Sequence, residues 1–389
     1  MNAKQIIEQI EVYAGRSLSG SRTLLLLDEI QECPQARTAV KFLVEDGRLD
    51  IIETGSLLGV KISEVRSIPV GFEQSVSMYP LDLEEFLWGV GIPQNTIETL
   101  RSCFEQEREV APFLHEEMKK VFLSYLVVGG MPEAVARFIE TKNVMDAVHV
   151  QNQIRFLYQQ DVLKYAQTNQ RIRIQEVFSA VPAQLNKPNH RFFLNQIQPK
   201  ARIKQFEDSF EWLIKAGIVL PSYNVEQPCS PLLINEKRNL FRLFYLDTGM
   251  LCSCFEGIQL KILQGDTGLN WGSVLENAVA QNLAANGYPL YYFDSKKYRE
   301  IDFVIEDQSR VSLIECKSGK DFRKHPALDK VGNVSNWTFA SKIVLCEGNL
   351  KREQEILYLP WYLVFLMKKE PEPSLIVHFN LDDLQVPDK

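Results

Sequence analysis

The run Leu24-Leu25-Leu26-Leu27 is the first strong pattern along the chain. It is short, uniformly apolar and preceded by a Gly/Ser-rich turn, which predicts a strand buried on both faces, as in parallel sheets. An amphipathic start (Ile6, Ile7, Ile10, Val12) precedes it. A helix from Ala36 to Glu45 follows Pro34, and a second buried strand spans Asp50 to Glu53. Strand, helix, strand at this spacing is one βαβ unit. From about Phe113 the period becomes helical. Apolar residues from Met118 to Val128 stop at Gly129-Gly130, and Pro132 opens a further helix, Glu133 to Glu140. Ile203, Phe206, Phe210, Leu213 and Ile214 form one apolar stripe that ends at Gly217. Two β-like runs follow, Ile218 to Tyr223 and Phe241 to Leu246, and helices followed by a two-stranded ribbon predict a winged helix. The last stretch reads as a helix at Val274 to Ala285, then strands near Leu290 to Phe293, Ile301 to Ile305, Val311 to Glu315 and Lys342 to Leu345. The expected class is α/β with a helical winged-helix middle, divided as 1–112, 113–262 and 263–389.

Composition changes little in that picture. Hydrophobic residues are 45% of the 389 and charged residues 24%, values of an ordinary globular chain. With 43 Lys+Arg against 50 Asp+Glu the balance is −7, which excludes a globally basic nucleic-acid coat but not a local basic face. The longest apolar runs, such as Trp361 to Met367, are far shorter than the roughly 20 residues of a membrane helix. The start MNAKQIIEQIEVYAG has no signal-peptide core, so a cytoplasmic location and no membrane partner are expected. The seven cysteines are scattered, and Cys252-x-Cys254 is too closely spaced for the usual zinc pairs. The five histidines share no metal spacing, and they read as structural or surface groups.

Leu24 to Leu27 continues into Asp28-Glu29, the form of a Walker B strand. Such a strand carries one carboxylate to the sheet edge to hold Mg²⁺ and a second to polarise water. Thr54 or Ser56, at the tip of the neighbouring strand, would sit where a polar group senses a γ-phosphate. Alone, the run is equally what any buried strand surfacing in acids would show. Asp28-Glu29-Ile30-Gln31, Thr54-Gly55-Ser56-Leu57-Leu58 and Tyr79-Pro80-Leu81-Asp82-Leu83-Glu84-Glu85-Phe86 occur in that order, and Tyr125-Leu126-Val127-Val128-Gly129-Gly130-Met131-Pro132 follows. Together these resemble a prokaryotic family of predicted AAA+-type ATPases, whose members carry DEIQ, TGSSLL, PLSFEEF and a Y-L-x-x-G-G-M/F-P motif. The resemblance implies a P-loop-like parallel α/β lobe, here truncated. Gly15 and Gly20 precede Asp28 without any Gly-Lys-Ser/Thr, and Gly71-Phe72 stands where the family tends to have Gly-Arg. Without that loop little is left to cradle the phosphates of ATP. Either the chain starts late or the lobe persists as a scaffold.

Two further features carry candidate chemistry. Between Leu163 and Gln205 lie Lys164, Arg171, Arg173, Lys187, Arg191, Lys200, Arg202 and Lys204 with Glu176 as the single acid. A winged helix with such a stretch could lie along a DNA backbone. Glu207, Asp208 and Glu211 on the would-be recognition helix oppose that, and a solvated or protein-docking face remains the alternative. Further on, Glu300-Ile301-Asp302-Phe303-Val304 precedes Leu313-Ile314-Glu315-Cys316-Lys317. Glu315 and Lys317 project together from one strand, and Asp302 could meet them if the strands pair around Gln308. Two carboxylates suit Mg²⁺ and a lysine can stabilise developing charge.

This last pattern resembles the PD-(D/E)XK nucleases, of restriction-endonuclease-like α-β-β-β-α-β fold. The resemblance implies Asp302 and Glu315 as metal ligands, Lys317 as the catalytic lysine and Glu276 as the additional helix acid. Ile301 stands where the family's Pro is expected. Two functions remain open: a DNA-associated protein with Mg²⁺-dependent nuclease chemistry, or a non-catalytic DNA- or protein-binding regulatory module that kept both folds.

Overall fold

In the computed structural model, residues 3–18, 23–55, 71–187, 191–199, 202–265 and 271–371, with 374, 376 and 377, are described. Helix α1 (Ala3–Ala14) and helix α2 (Pro34–Asp46) pack on strands β1 (Thr23–Leu27) and β2 (Leu49–Glu53). The strands pair in parallel, Leu24 opposite Asp50 and Leu27 opposite Glu53, so the expected βαβ unit is present. Pro34 supplies the first helical residue, and Gly47 in the left-handed region (φ 77°) closes α2. Burial on both faces does not hold. Leu25 and Ile51 pack with Ile7, Leu18 and Leu43, whereas Leu24 (58% exposed), Leu26 (60%) and Ile52 (49%) face outward. Among the described residues, helices cover one face of this pair, and alternate side chains of each strand are exposed on the other.

The chain then runs through α3 (Leu83–Gly89), α4 (Gln94–Glu105), α5 (Pro112–Val128), α6 (Pro132–Thr141), α7 (Val144–Tyr165), α8 (Arg171–Leu185) and α9 (Glu207–Lys215). Asp82 caps α3 with a capping box to Glu85. Gly129, at φ 76°, ends α5 as its pattern predicts. The stripe from Ile203 is interrupted: Ile203–Gln205 is a single 3₁₀ turn and α9 begins after it. Strands β3 (Val219–Val225) and β4 (Glu236–Tyr245) form the antiparallel ribbon read as a wing. That ribbon does not stand apart. After α10 (Thr248–Cys252), α11 (Ile258–Leu263) and α12 (Gly272–Ala285), β3 pairs in parallel with β5 (Leu290–Ser295).

The sheet continues through β6 (Arg299–Asp307), β7 (Arg310–Cys316), β8 (Ser341–Cys346), β9 (Lys351–Glu353) and β10 (Ile356–Pro360), with α13 (Pro326–Gly332) between β7 and β8. Its order is β4-β3-β5-β6-β7-β8-β10-β9. From α12 to β8 the elements run α, β, β, β, α, β, with β5, β6 and β7 antiparallel and β8 parallel to β7. One apolar core on the α12 face joins helices α3 to α12 to this sheet, and a second lies under α13. No helix among the described residues is long and apolar enough to cross a membrane.

Gln308 and Ser309 turn β6 into β7 with φ of 48° and 63°. Positive φ at both central positions suits Asn-Gly rather than Gln-Ser. Gln308→Asn combined with Ser309→Gly is expected to raise stability by about 0.5–1 kcal/mol, read as a higher urea midpoint at unchanged slope.

Candidate functional site

At the end of β1 the hydroxyl of Thr54 donates to the Asp28 carboxylate, and the backbone N–H of Thr54 donates to the Leu27 carbonyl (2.9 Å). Asp28 and Thr54 are thus brought together where the two parallel strands end. Glu29 takes the left-handed region (φ 50°) and its carboxylate accepts from the Gln31 amide. Ser56 lies outside the described residues. Beneath the strand end, the buried Arg37 bridges Glu53 (2.7 Å) and Glu73 (3.0 Å).

The basic stretch does not present one clamp. Arg171 donates through Nε to the Ala166 carbonyl (2.8 Å), Arg173 to the Gln205 carbonyl (3.2 Å), and Arg191 pairs with Asp294 (2.8 Å). Lys187 donates to Gln196, and Lys164 to Tyr165. Arg202 and Lys204 are exposed beside Glu207 and Asp208 of α9, and Lys200 lies outside the described residues.

In the large sheet, β6 and β7 pair antiparallel as expected, Phe303 opposite Ile314. A bulge in β6, between the pairs Phe293–Ile301 and Tyr291–Val304, turns Asp302 out of the ladder. Its carboxylate accepts instead from the backbone N–H of Cys316 (2.7 Å), the residue between Glu315 and Lys317. Lys317 pairs with Glu315 at 2.6 Å. Ile314 and Cys316 belong to the core on the α12 face, while Leu313 belongs to the core under α13. Residues two apart share a face, so Glu315 and Lys317 project toward α13. The charges nearest Asp302 are on the other side: Glu276 of α12, Glu300 and Arg242. Burial first, then the charges of Glu276 and Glu300, push the Asp302 carboxyl well above the usual carboxylate range, against the opposing pull of Arg242.

Sequence reading missed Arg242. It is fully buried on β4, its Nη2 donates to the Glu300 carboxylate, its Nη1 lies 3.8 Å from Glu276, and its guanidinium stacks 4.1 Å over the Tyr292 ring. Burial opposes its charge, but Glu300, Glu276 and Asp302 outweigh that and raise its pKa. The available signal was a lone cation inside the apolar run Leu240 to Leu246, because a charge in such a strand needs a buried partner. Helix α12 holds Glu276 in register through Asn277, whose amide accepts from Tyr245 N–H (2.8 Å) and donates to its carbonyl (3.0 Å).

Mg²⁺ was the cofactor implied for these acids, and the arrangement does not fit it. Among the described residues, no three His, Cys, Asp or Glu side chains are grouped to hold a metal ion. Asp302 and Glu276 gather around a guanidinium, and Glu315 is held by Lys317.

Comparison with known proteins divides the chain in three. Residues 2–87 match the family described as AAA domain, 119–261 a domain of unknown function (DUF8612) and 271–363 another (DUF4143). The N-terminal lobe is thus similar to AAA domains. Among solved structures, a Walker-type ATPase of Pyrococcus abyssi aligns over 64% of this chain at 14% identity and a TM-score of 0.36. The aligned part is 65% of that protein, and a likeness this remote assigns neither fold nor function. No curated protein matches the chain.

Proposed function

We propose that this chain is a non-catalytic, AAA-like binding module whose C-terminal α/β unit keeps a nuclease-like element order without a working metal centre. The observation that carries this reading is Arg242, a buried guanidinium that donates to Glu300 and lies 3.8 Å from Glu276, the helix acid that a Mg²⁺ site would use. A nuclease needs those carboxylates free to take up a divalent cation and its waters. The α, β, β, β, α, β order and the Glu315–Lys317 pair support kinship with that fold, and a fold can be retained for binding alone. At the other end, Asp28 and Thr54 keep a Walker B-like contact.

Protein docking fits the surface better than duplex binding, because Arg171, Arg173 and Arg191 are already engaged within the chain. The full chain is therefore expected neither to nick supercoiled plasmid in Mg²⁺ or Mn²⁺ nor to shift a labelled duplex at low salt. A second reading, Mg²⁺-dependent cleavage, draws on the Glu315 Oε2 atom, which is buried without a hydrogen-bond partner. Nicking that disappears in Asp302→Asn and Lys317→Met would establish that reading and overturn ours.

A further inference from the structure

We propose that the turn between β5 and β6, Lys296 to Arg299, is a docking knuckle for an acidic segment of a partner protein. The inference rests on the non-catalytic reading above and deepens it by naming the surface and the charge of what it binds.

Lys296, Lys297 and Arg299 are exposed, and none of them pairs with a carboxylate among the described residues. The two acids that flank the turn are already occupied: Asp294 pairs with Arg191 (2.8 Å), and Glu300 accepts from the buried Arg242. Three positive charges are thus left uncompensated on four residues, in a chain whose balance is −7. The turn is anchored. Tyr298 N–H donates to the Ser295 hydroxyl (3.1 Å), Ser295 pairs with Arg299, and the Tyr298 ring packs against Trp337 (5.3 Å between ring centres) and Phe293 (6.4 Å). Arg299 adds a second sign. Its φ is 73°, a left-handed backbone that glycine adopts at lower cost and that short hairpin turns ordinarily give to glycine. An arginine there carries strain that a glycine would relieve, which fits a side chain whose charge is used.

An acidic protein segment fits this surface better than a nucleic acid or a membrane. Lys297 lies over the Tyr298 ring (4.7 Å) while Trp337 and Phe293 crowd it from elsewhere, so the ring is engaged by its neighbours rather than presented as a platform for a base. A membrane surface calls for a longer basic run or for apolar side chains to insert, and here Tyr298 and Trp337 are half-buried beside a buried Phe293. Carboxylates ask only for charge and hydrogen-bond donors, which two ammonium groups and one guanidinium fork supply. The acidic excess of the rest of the chain repels such a partner, so its encounter is steered to the basic turn.

The test is fluorescence anisotropy of a labelled Asp/Glu-rich octapeptide with the full chain, beside the same peptide carrying Asn and Gln for its acids and a single-stranded thymidine oligonucleotide. Wild type is expected to bind the acidic peptide at least about tenfold more tightly than its amide counterpart, and to release it as salt rises. The triple variant Lys296→Ala, Lys297→Ala, Arg299→Ala should melt as wild type does, because all three side chains are exposed, and should lose that preference. Arg202→Ala with Lys204→Ala, which removes exposed cations elsewhere, should keep it. Arg299→Gly should melt at or above the wild-type temperature yet bind the acidic peptide more weakly. Equal binding of the two peptides by wild type overturns the proposal, as does a triple variant that still discriminates them or an Arg299→Gly chain that binds as tightly as wild type. An oligonucleotide held more tightly than the acidic peptide, and lost in the triple variant, overturns it in favour of a nucleic acid. Failure of the non-catalytic reading looks different: it would appear as Mg²⁺-dependent cleavage by wild type, whatever the peptides do.

Discussion

Gly130→Ala is expected to destabilise the chain by about 4 kcal/mol or more, enough to abolish cooperative melting at ordinary temperatures. Gly130 sits where α5 has ended and the chain passes against Leu81, and the two residues exchange backbone contact, Leu81 N–H donating to the Gly130 carbonyl at 2.8 Å. A Cβ on Gly130 would fall onto the Leu81 carbonyl and lie within 2.9 Å of the Leu81 nitrogen. The obstacle is backbone, not the tip of a flexible side chain, so relief requires moving the segment before α3. That segment is also held by Tyr125, whose hydroxyl donates to the Leu81 carbonyl (3.2 Å), and by Asn282 of α12, which accepts from Leu83 N–H (3.3 Å). Chemical denaturation followed by circular dichroism checks this. A midpoint within error of wild type would show that the turn has room the structure does not give it.

The second large effect concerns pH. Asp247 is fully buried between β4 and α10, where it accepts from the backbone N–H of Gly130 (2.5 Å) and Met250 (2.9 Å) and from the Gln151 amide (2.9 Å). Burial pushes its carboxyl up to about 6 from an ordinary 3.8, and the hydrogen bonds to Gly130, Met250 and Gln151 pull it only part of the way back. A carboxyl whose folded pKa is raised favours the folded state while both states are protonated. Its contribution is complete below about pH 3.8 and is lost as pH rises through about 6. Two units correspond to about 3 kcal/mol.

Asp247→Asn isolates this group. Asparagine cannot accept from all the same donors, so the variant should be less stable than wild type by about 1–3 kcal/mol at low pH. The gap should then close as pH rises from 4 to 7, because only wild type bears the cost of a buried charge. Urea titrations of both proteins across that range decide it. A gap that widens with pH would mean that Asp247 is better solvated or better paired than its surroundings indicate.

The βαβ unit, the end of α5 at Gly129 and the meander from β5 to β7 were all legible, because each is written in local signals. These are an apolar run between turns, a helix-ending Gly-Gly and alternating strands. Two features were not. Leu24 and Leu26 look like residues of a doubly covered strand, but coverage depends on what packs across the sheet, and among the described residues helices lie on one face. The ribbon β3–β4 has the spacing of a wing, and nothing local announces that β3 will pair with Leu290 to Tyr292, 68 residues on. The site shows the same division. Strand spacing put Glu315 and Lys317 together, whereas Glu276 was pointed to only by the resemblance to the nuclease family. The bulge that turns Asp302 toward α12, and Arg242 arriving from β4, are long-range events.

The most direct test of the account is a Mn²⁺ titration of the unaltered chain, with free ion followed by electron paramagnetic resonance at neutral pH. The account predicts no Mn²⁺ site that depends on Asp302 or Glu276, so wild type, Asp302→Asn and Glu276→Gln should give superimposable curves. A saturable wild-type site, lost in either variant while Arg242 is still in place, would contradict it.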